Sequence, residues 1–161
     1  MIISSSRLIL LTASYFVVFV NIRFFANVQE VYPLGVNNAL FLASLVVVLV
    51  CVLVAGLSLI LNRFTLKPVL ICLLLIAALS AYFMDIYGVV IDDAMLKNAL
   101  STDASELSDL LSIEWMLYIL VLGIAPAVFI YRVEIRYAKF SKEAAARSCL
   151  FIASVVLCAM V

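Results

Sequence analysis

The chain has 161 residues, 68% of them hydrophobic and 12% charged, and its 10 basic and 10 acidic residues cancel to a formal net charge of zero. Soluble domains average about 45–50% apolar and about 25% charged, so the excess calls for lipid rather than a larger core, and the lack of net basic charge excludes a nucleic-acid partner. Histidine is absent, and Cys51, Cys72, Cys149 and Cys158 all lie in apolar runs without metal-ligand spacing, so they read as small hydrophobes.

A transmembrane helix needs about 20 mostly apolar residues. The first candidate span runs from about Leu8 to Phe25, with Asn21 and Arg23 near its end, where a long polar side chain can snorkel to the interface. It lacks a small-x-small cleavage site and is followed by further spans, so it reads as a retained anchor rather than a signal peptide. The second span, about 39–61, carries no charge. The third, about 67–84, opens with Lys67-Pro68, and a proline in a first helical turn removes an N–H that would be unpaired anyway.

Between the third and fourth spans lies a polar, acidic segment, Asp85 to Glu114. It holds Asp85, Asp92, Asp93, Asp103, Glu106, Asp109 and Glu114 against a single lysine, Lys97. The fourth span, about 115–131, contains Gly123 and Pro126, which predict a kink near its middle. Trp115 and Tyr131 stand at its two ends, as aromatic belts do. The basic stretch 131–147 reads as a solvated helical connector attracted to anionic lipid. A fifth span begins near Ser148. Its residues to Val161 reach only about 21 Å at 1.5 Å each, against a hydrocarbon core of about 30 Å. The chain is therefore expected to be the N-terminal fragment of a longer protein.

Basic residues set the orientation. With the N-terminus inside, Arg7, Arg63, Lys67, Arg132, Arg136, Lys139, Lys142 and Arg147 fall on the inner side, and only Arg23 and Lys97 fall outside. The acidic segment 85–114 then faces outward, into the periplasm if the membrane is a bacterial inner membrane.

Two conformations compete for residues 92–111. As one helix, Asp92, Met95, Asn98, Thr102 and Glu106 share a sector of about 120°, beside a stripe of Leu96, Leu100, Leu107 and Leu111. Such a helix would lie flat on the interface. Alternatively Asp103-x-x-Glu106 is a capping box that starts a second short helix, and the shared face shrinks to Asp92, Met95 and Asn98. Either way the segment reads as an amphipathic loop or as a headgroup-binding surface. Glu106 can pair with an ammonium, and Asn98 and Thr102 can bond to phosphate oxygens. Tyr87, beside Gly88, offers a hydroxyl at headgroup depth or serves as a belt tyrosine.

The order and spacing of Lys67-Pro68, Tyr87-Gly88, Asp92, Met95, Asn98, Thr102 and Glu106 resemble the N-terminal membrane domain of the lipid A phosphoethanolamine transferases, which include the mobile colistin-resistance enzymes. Before Lys67 the resemblance rests on hydropathy, on Asn21-x-x-Phe24-Phe25 and on Tyr32-Pro33. It implies an all-α polytopic bundle of five transmembrane helices with interfacial helices between the third and fourth. It also implies transfer of phosphoethanolamine from phosphatidylethanolamine to lipid A, which weakens polymyxin binding. The family does this on a threonine beside zinc in a C-terminal periplasmic domain. Carried over by motif, the lipid contacts are Tyr87, Asn98, Thr102 and Glu106. A zinc phosphotransfer site needs imidazole and carboxylate ligands, and a chain without histidine departs from the family there. The zinc belongs to the absent domain, and this chain, expected to be a monomer, should be inactive alone. A free-standing assembly protein is the alternative, with a small transporter behind it, since spans two to four carry no interior charge of the kind transporters use.

Overall fold

The computed structural model describes residues 2–88, 113–136 and 140–160. The chain opens with a short strand β1 (Ile2–Ser4) and a helix α1 (Ser5–Tyr15), which widens into a π-helical turn at Phe16–Val20. At Asn21 the backbone leaves helical geometry (φ −105°, ψ 29°), and α2 (Ile22–Val31) departs at 58° to the first helix. The Asn21 side chain donates a hydrogen bond of 3.0 Å to the Phe16 carbonyl. That carbonyl lies in the last, widened turn, and an apolar layer offers no water to satisfy it. The first helix therefore stops at Val20, short of the expected Phe25. Arg23, Phe24 and Phe25 belong to α2, in which no residue is buried.

The long apolar runs give long helices. α3 (Val36–Ile60) is followed by a turn in which the Asn62 N–H donates to the Thr65 hydroxyl at 2.8 Å. α4 (Leu66–Tyr87) buries Leu66, Leu70, Leu74 and Ala78 at four-residue spacing, with Ala81 and Tyr82 closing the stripe. This is the i, i+4 face that a helix presents to a neighbour. α5 (Ile113–Tyr118), a second π-helical segment (Ile119–Ile124) and α6 (Ala125–Arg132) form one rod. α7 (Phe140–Met160) packs on α3. By length and composition, three helices can cross a membrane (38–60, 66–86 and 113–132), or four if the bent first pair is one span. The apolar part of α7, Ala145–Met160, is shorter.

The irregularity expected near Gly123 and Pro126 takes the form of a π-helical segment within one continuous span, 113–132. Pro126 has no N–H for the Leu122 carbonyl four residues back, and its ring crowds that carbonyl. The wider turn relieves the crowding, and the carbonyl accepts a hydrogen bond from another helix, the Tyr15 hydroxyl at 3.0 Å. Local π adjustment and a neighbour's side chain are the usual means of re-satisfying such groups in a membrane.

The bundle is helical as expected, whereas the basic connector, expected to be helical, leaves helical geometry at one place. Residues Glu134–Arg136 form a strand β2 parallel to β1, pairing Ile2 with Glu134, Ile3 with Ile135 and Ser4 with Arg136. Ile3 and Val133 are buried beneath the pair. In residues 133–136 β-branched residues alternate with charged ones, which suits a half-buried strand better than a helix. The fold is thus a helical bundle with one short two-stranded ribbon at the end where α1 starts and α6 stops.

A close approach between helices occurs at Gly123. A Cβ built there would lie 3.2 Å from the Ala78 Cβ and 3.3 Å from Leu75 Cδ2. Small residues on facing spans let backbones approach where burial from water supplies no drive.

Candidate functional site

The two ends of the bundle differ in chemistry. At the end where α3 and α6 stop, two basic side chains cap helix C-termini. Lys67 Nζ donates to the Tyr131 carbonyl at 2.9 Å, and the Arg147 guanidinium donates to the Leu61 carbonyl. Cations at helix C-termini complement the unpaired carbonyls and the negative end of the helix dipole. The Lys67-Pro68 pair thus has a structural role, in which proline starts α4 while lysine closes α6.

At the opposite end α4 stops and α5 starts. α4 terminates at Gly88 in the left-handed conformation (φ 63°, ψ 16°), the usual device for ending a helix. One turn earlier, Asp85 accepts a hydrogen bond of 3.0 Å from the Tyr118 hydroxyl on α5. The Tyr118 ring meets Tyr82 edge-on, with centroids 5.6 Å apart, and Tyr82 in turn meets Phe83 edge-on at 5.4 Å. The Arg23 guanidinium from α2 stands beside Gly88, 3.5 Å from where a Cβ would be. This end therefore places a carboxylate, a tyrosine hydroxyl and a guanidinium around the exit of α4.

Among the predicted lipid contacts, Tyr87 is the last residue of α4, and its backbone enters the Gly88 turn. Its side chain, and Asn98, Thr102 and Glu106 entirely, lie outside the described residues, as do Asp92 and Met95. What the structure does give is the frame of that segment. Residue 88 and residue 113 belong to neighbouring elements, and the Tyr118–Asp85 bond ties α5 to α4 next to both exits. Among the described residues no three His, Cys, Asp or Glu side chains come together as metal ligands would.

Sequence reasoning missed the Asp85–Tyr118 bond and the place of Arg23. Asp85 was readable only as the first acid of a polar segment, although it sits inside the helix. A carboxylate within a membrane-grade helix needs a partner, and that requirement pointed to a polar group on a facing helix.

Residues 49–161 match the family model described as phosphoethanolamine transferase EptA/EptB. The chain is 37% identical over 137 residues to phosphatidylethanolamine transferase Mcr-1 of Escherichia coli, covering 85% of this chain and 25% of that protein. It is 30% identical over 131 residues to phosphoethanolamine transferase EptA of Escherichia coli K12, covering 81% and 24%. In structure it resembles the integral membrane lipooligosaccharide phosphoethanolamine transferase A from Neisseria meningitidis, with a TM-score of 0.89 and 28% identity. The likeness covers 99% of this chain and 30% of that one. The chain thus spans about a quarter of the length of the curated relatives it matches.

Proposed function

The chain belongs to the phosphoethanolamine transferase family, matching its membrane domain, and from that premise we propose that it anchors a transferase and docks its lipid substrate. In this reading the parent enzyme moves phosphoethanolamine from phosphatidylethanolamine to lipid A and so confers polymyxin resistance. The chemistry belongs to a C-terminal periplasmic domain carrying zinc and a threonine nucleophile. Tyr87, Asn98, Thr102 and Glu106 contact the donor headgroup. The bundle sits in a bacterial inner membrane with five spans, its N-terminus cytoplasmic and segment 85–114 periplasmic.

The observation that supports this most directly is the Tyr118–Asp85 hydrogen bond. It holds together the two helices that flank, in sequence, the segment carrying Asn98, Thr102 and Glu106, so the flanking residues 88 and 113 lie at one end of the bundle. Charge adds to it: the capping cations Lys67 and Arg147 mark the opposite end, and basic residues favour the cytoplasmic side.

The test uses the intact parent enzyme expressed in a polymyxin-sensitive host. Asn98→Ala and Glu106→Ala are expected to lower the modified fraction of lipid A, read by mass spectrometry, at unchanged protein level. Full modification at equal expression would remove these residues from the proposed site.

A further inference from the structure

A groove of about 540 Å³ runs along the first helix and lies on the bundle side facing α6. Its walls include Leu11, Ser14 and Val18 from the first helix and Pro126 and Phe129 from α6, with Leu74 of α4 as its floor. Leu11, Val18 and Phe129 are about half exposed, so the groove opens to the bundle's surroundings. Three features say what fills it.

The first is length. The lining runs from Leu8 to Phe19, which at 1.5 Å per residue is about 16 Å. That is about half of a 30 Å hydrocarbon core, the depth of one leaflet. The second is depth. The groove starts one residue after Arg7 and reaches Ile130, two residues before Arg132. It therefore occupies the leaflet at the basic end of the bundle, away from the Asp85 end. The third is charge. Arg7 stands four, seven and eleven residues before Leu11, Ser14 and Val18, so it continues the same helix face. Arg132 stands three residues after Phe129 and continues the opposite wall. Both arginines are exposed, and the β1–β2 ribbon brings the two helix ends together. Lys67 shares this end but is bonded to the Tyr131 carbonyl, and Glu134, two residues after Arg132 in sequence, adds an acid to the ribbon.

We propose that the groove holds one acyl chain of an anionic phospholipid from the leaflet at the basic end, with its phosphate between Arg7 and Arg132. The chain fills the space that α1 and α6 leave between them, and the two guanidinium groups favour an anionic over a zwitterionic headgroup. This site is separate from the proposed donor site at the Asp85 end and does not depend on it.

The intact protein, purified in mild detergent, is titrated with dioleoyl phosphatidylglycerol or dioleoyl phosphatidylethanolamine and examined by native mass spectrometry. One phosphatidylglycerol per protein should be retained, preferred about five-fold or more, since each basic residue near a headgroup contributes about that factor. Arg7→Gln with Arg132→Gln should remove the preference while leaving phosphatidylethanolamine retention unchanged. Ser14→Phe, which fills the groove, should reduce retention of both lipids. Arg63→Gln, a basic-end change away from the groove, should alter neither, which separates a local site from general surface charge. Equal retention of the two lipids, a preference that survives the double variant, or a lipid-free dimer that Ser14→Phe dissociates would overturn the proposal. The last outcome would assign the groove to a second copy of the chain.

Discussion

The hydroxyl of Tyr15 donates a 3.0 Å hydrogen bond to the carbonyl of Leu122, a residue 107 positions away. This is the carbonyl that Pro126 leaves without its helical N–H. A tyrosine on the first helix therefore completes the backbone of the rod that α5 and α6 form, and it links two helices that otherwise leave a groove between them.

Tyr15→Phe should destabilise the protein by about 1 kcal/mol, in the range measured for interhelical hydrogen bonds in membranes. Pro126→Ala returns an N–H to the helix. In that background Tyr15→Phe should cost less, because Leu122 then has an intrahelical partner. A double-mutant cycle on thermal unfolding in detergent measures the difference. Strict additivity would mean that the hydroxyl and the missing N–H are unconnected.

At the other end, Tyr118→Phe removes the bond to Asp85 and leaves the Tyr82 ring contact in place. A hydrogen bond to a charged group is worth about 1.5–3 kcal/mol. If the tie between α4 and α5 frames the substrate segment, the variant should lower lipid A modification several-fold at near-normal protein level. Asp85→Asn keeps an acceptor for the hydroxyl and should retain more activity than Asp85→Ala.

Gly88 ends α4 at φ 63°, where a side chain crowds the backbone. Gly88→Ala should cost about 1–2 kcal/mol. Gly88→Asn should cost less, because asparagine tolerates this region. Space is not the obstacle, since the nearest atom to an added Cβ is Arg23 Nη2 at 3.5 Å, the far end of a flexible side chain. An equal loss for the two variants in a stability assay would point to crowding instead of backbone strain.

Much of this architecture was legible in the sequence because lipid imposes a simple rule. Helices must be long and apolar, and α3, α4 and the 113–132 rod lie close to the runs that hydropathy marks. The features that escaped are those set by one side chain or by distant pairing. Asn21 is a single polar residue in an apolar run, and only its bond to the Phe16 carbonyl shows that it ends a helix. Gly123 and Pro126 announced an irregularity, but the Tyr15 hydroxyl that bonds to its Leu122 carbonyl comes from 107 positions away and leaves no local signal. The β1–β2 ribbon joins three-residue segments from far apart in the chain, too short to leave a periodic signal. Of the candidate site, sequence spacing supplied Asn98, Thr102 and Glu106, whereas the Asp85–Tyr118 frame came only from three dimensions.

The pairing of α3 with α7 admits a covalent test. Arg147 caps α3 at the Leu61 carbonyl, which fixes where the two helices meet. Cys51 lies ten residues before Leu61 and Cys158 eleven after Arg147, so each stands about 15–17 Å from that point along its helix. The two run in opposite directions, and both thiols line one cavity of about 300 Å³ together with Ser154. With Cys72 and Cys149 changed to serine, mild oxidation with a membrane-permeant catalyst, or a short bifunctional thiol reagent, should join Cys51 to Cys158. The closed loop should migrate faster on a denaturing gel, and Cys51→Ala should abolish the shift. A shift that persists in Cys51→Ala, or none with either reagent while a single-thiol probe labels both positions, would mean that α7 meets α3 in a different register.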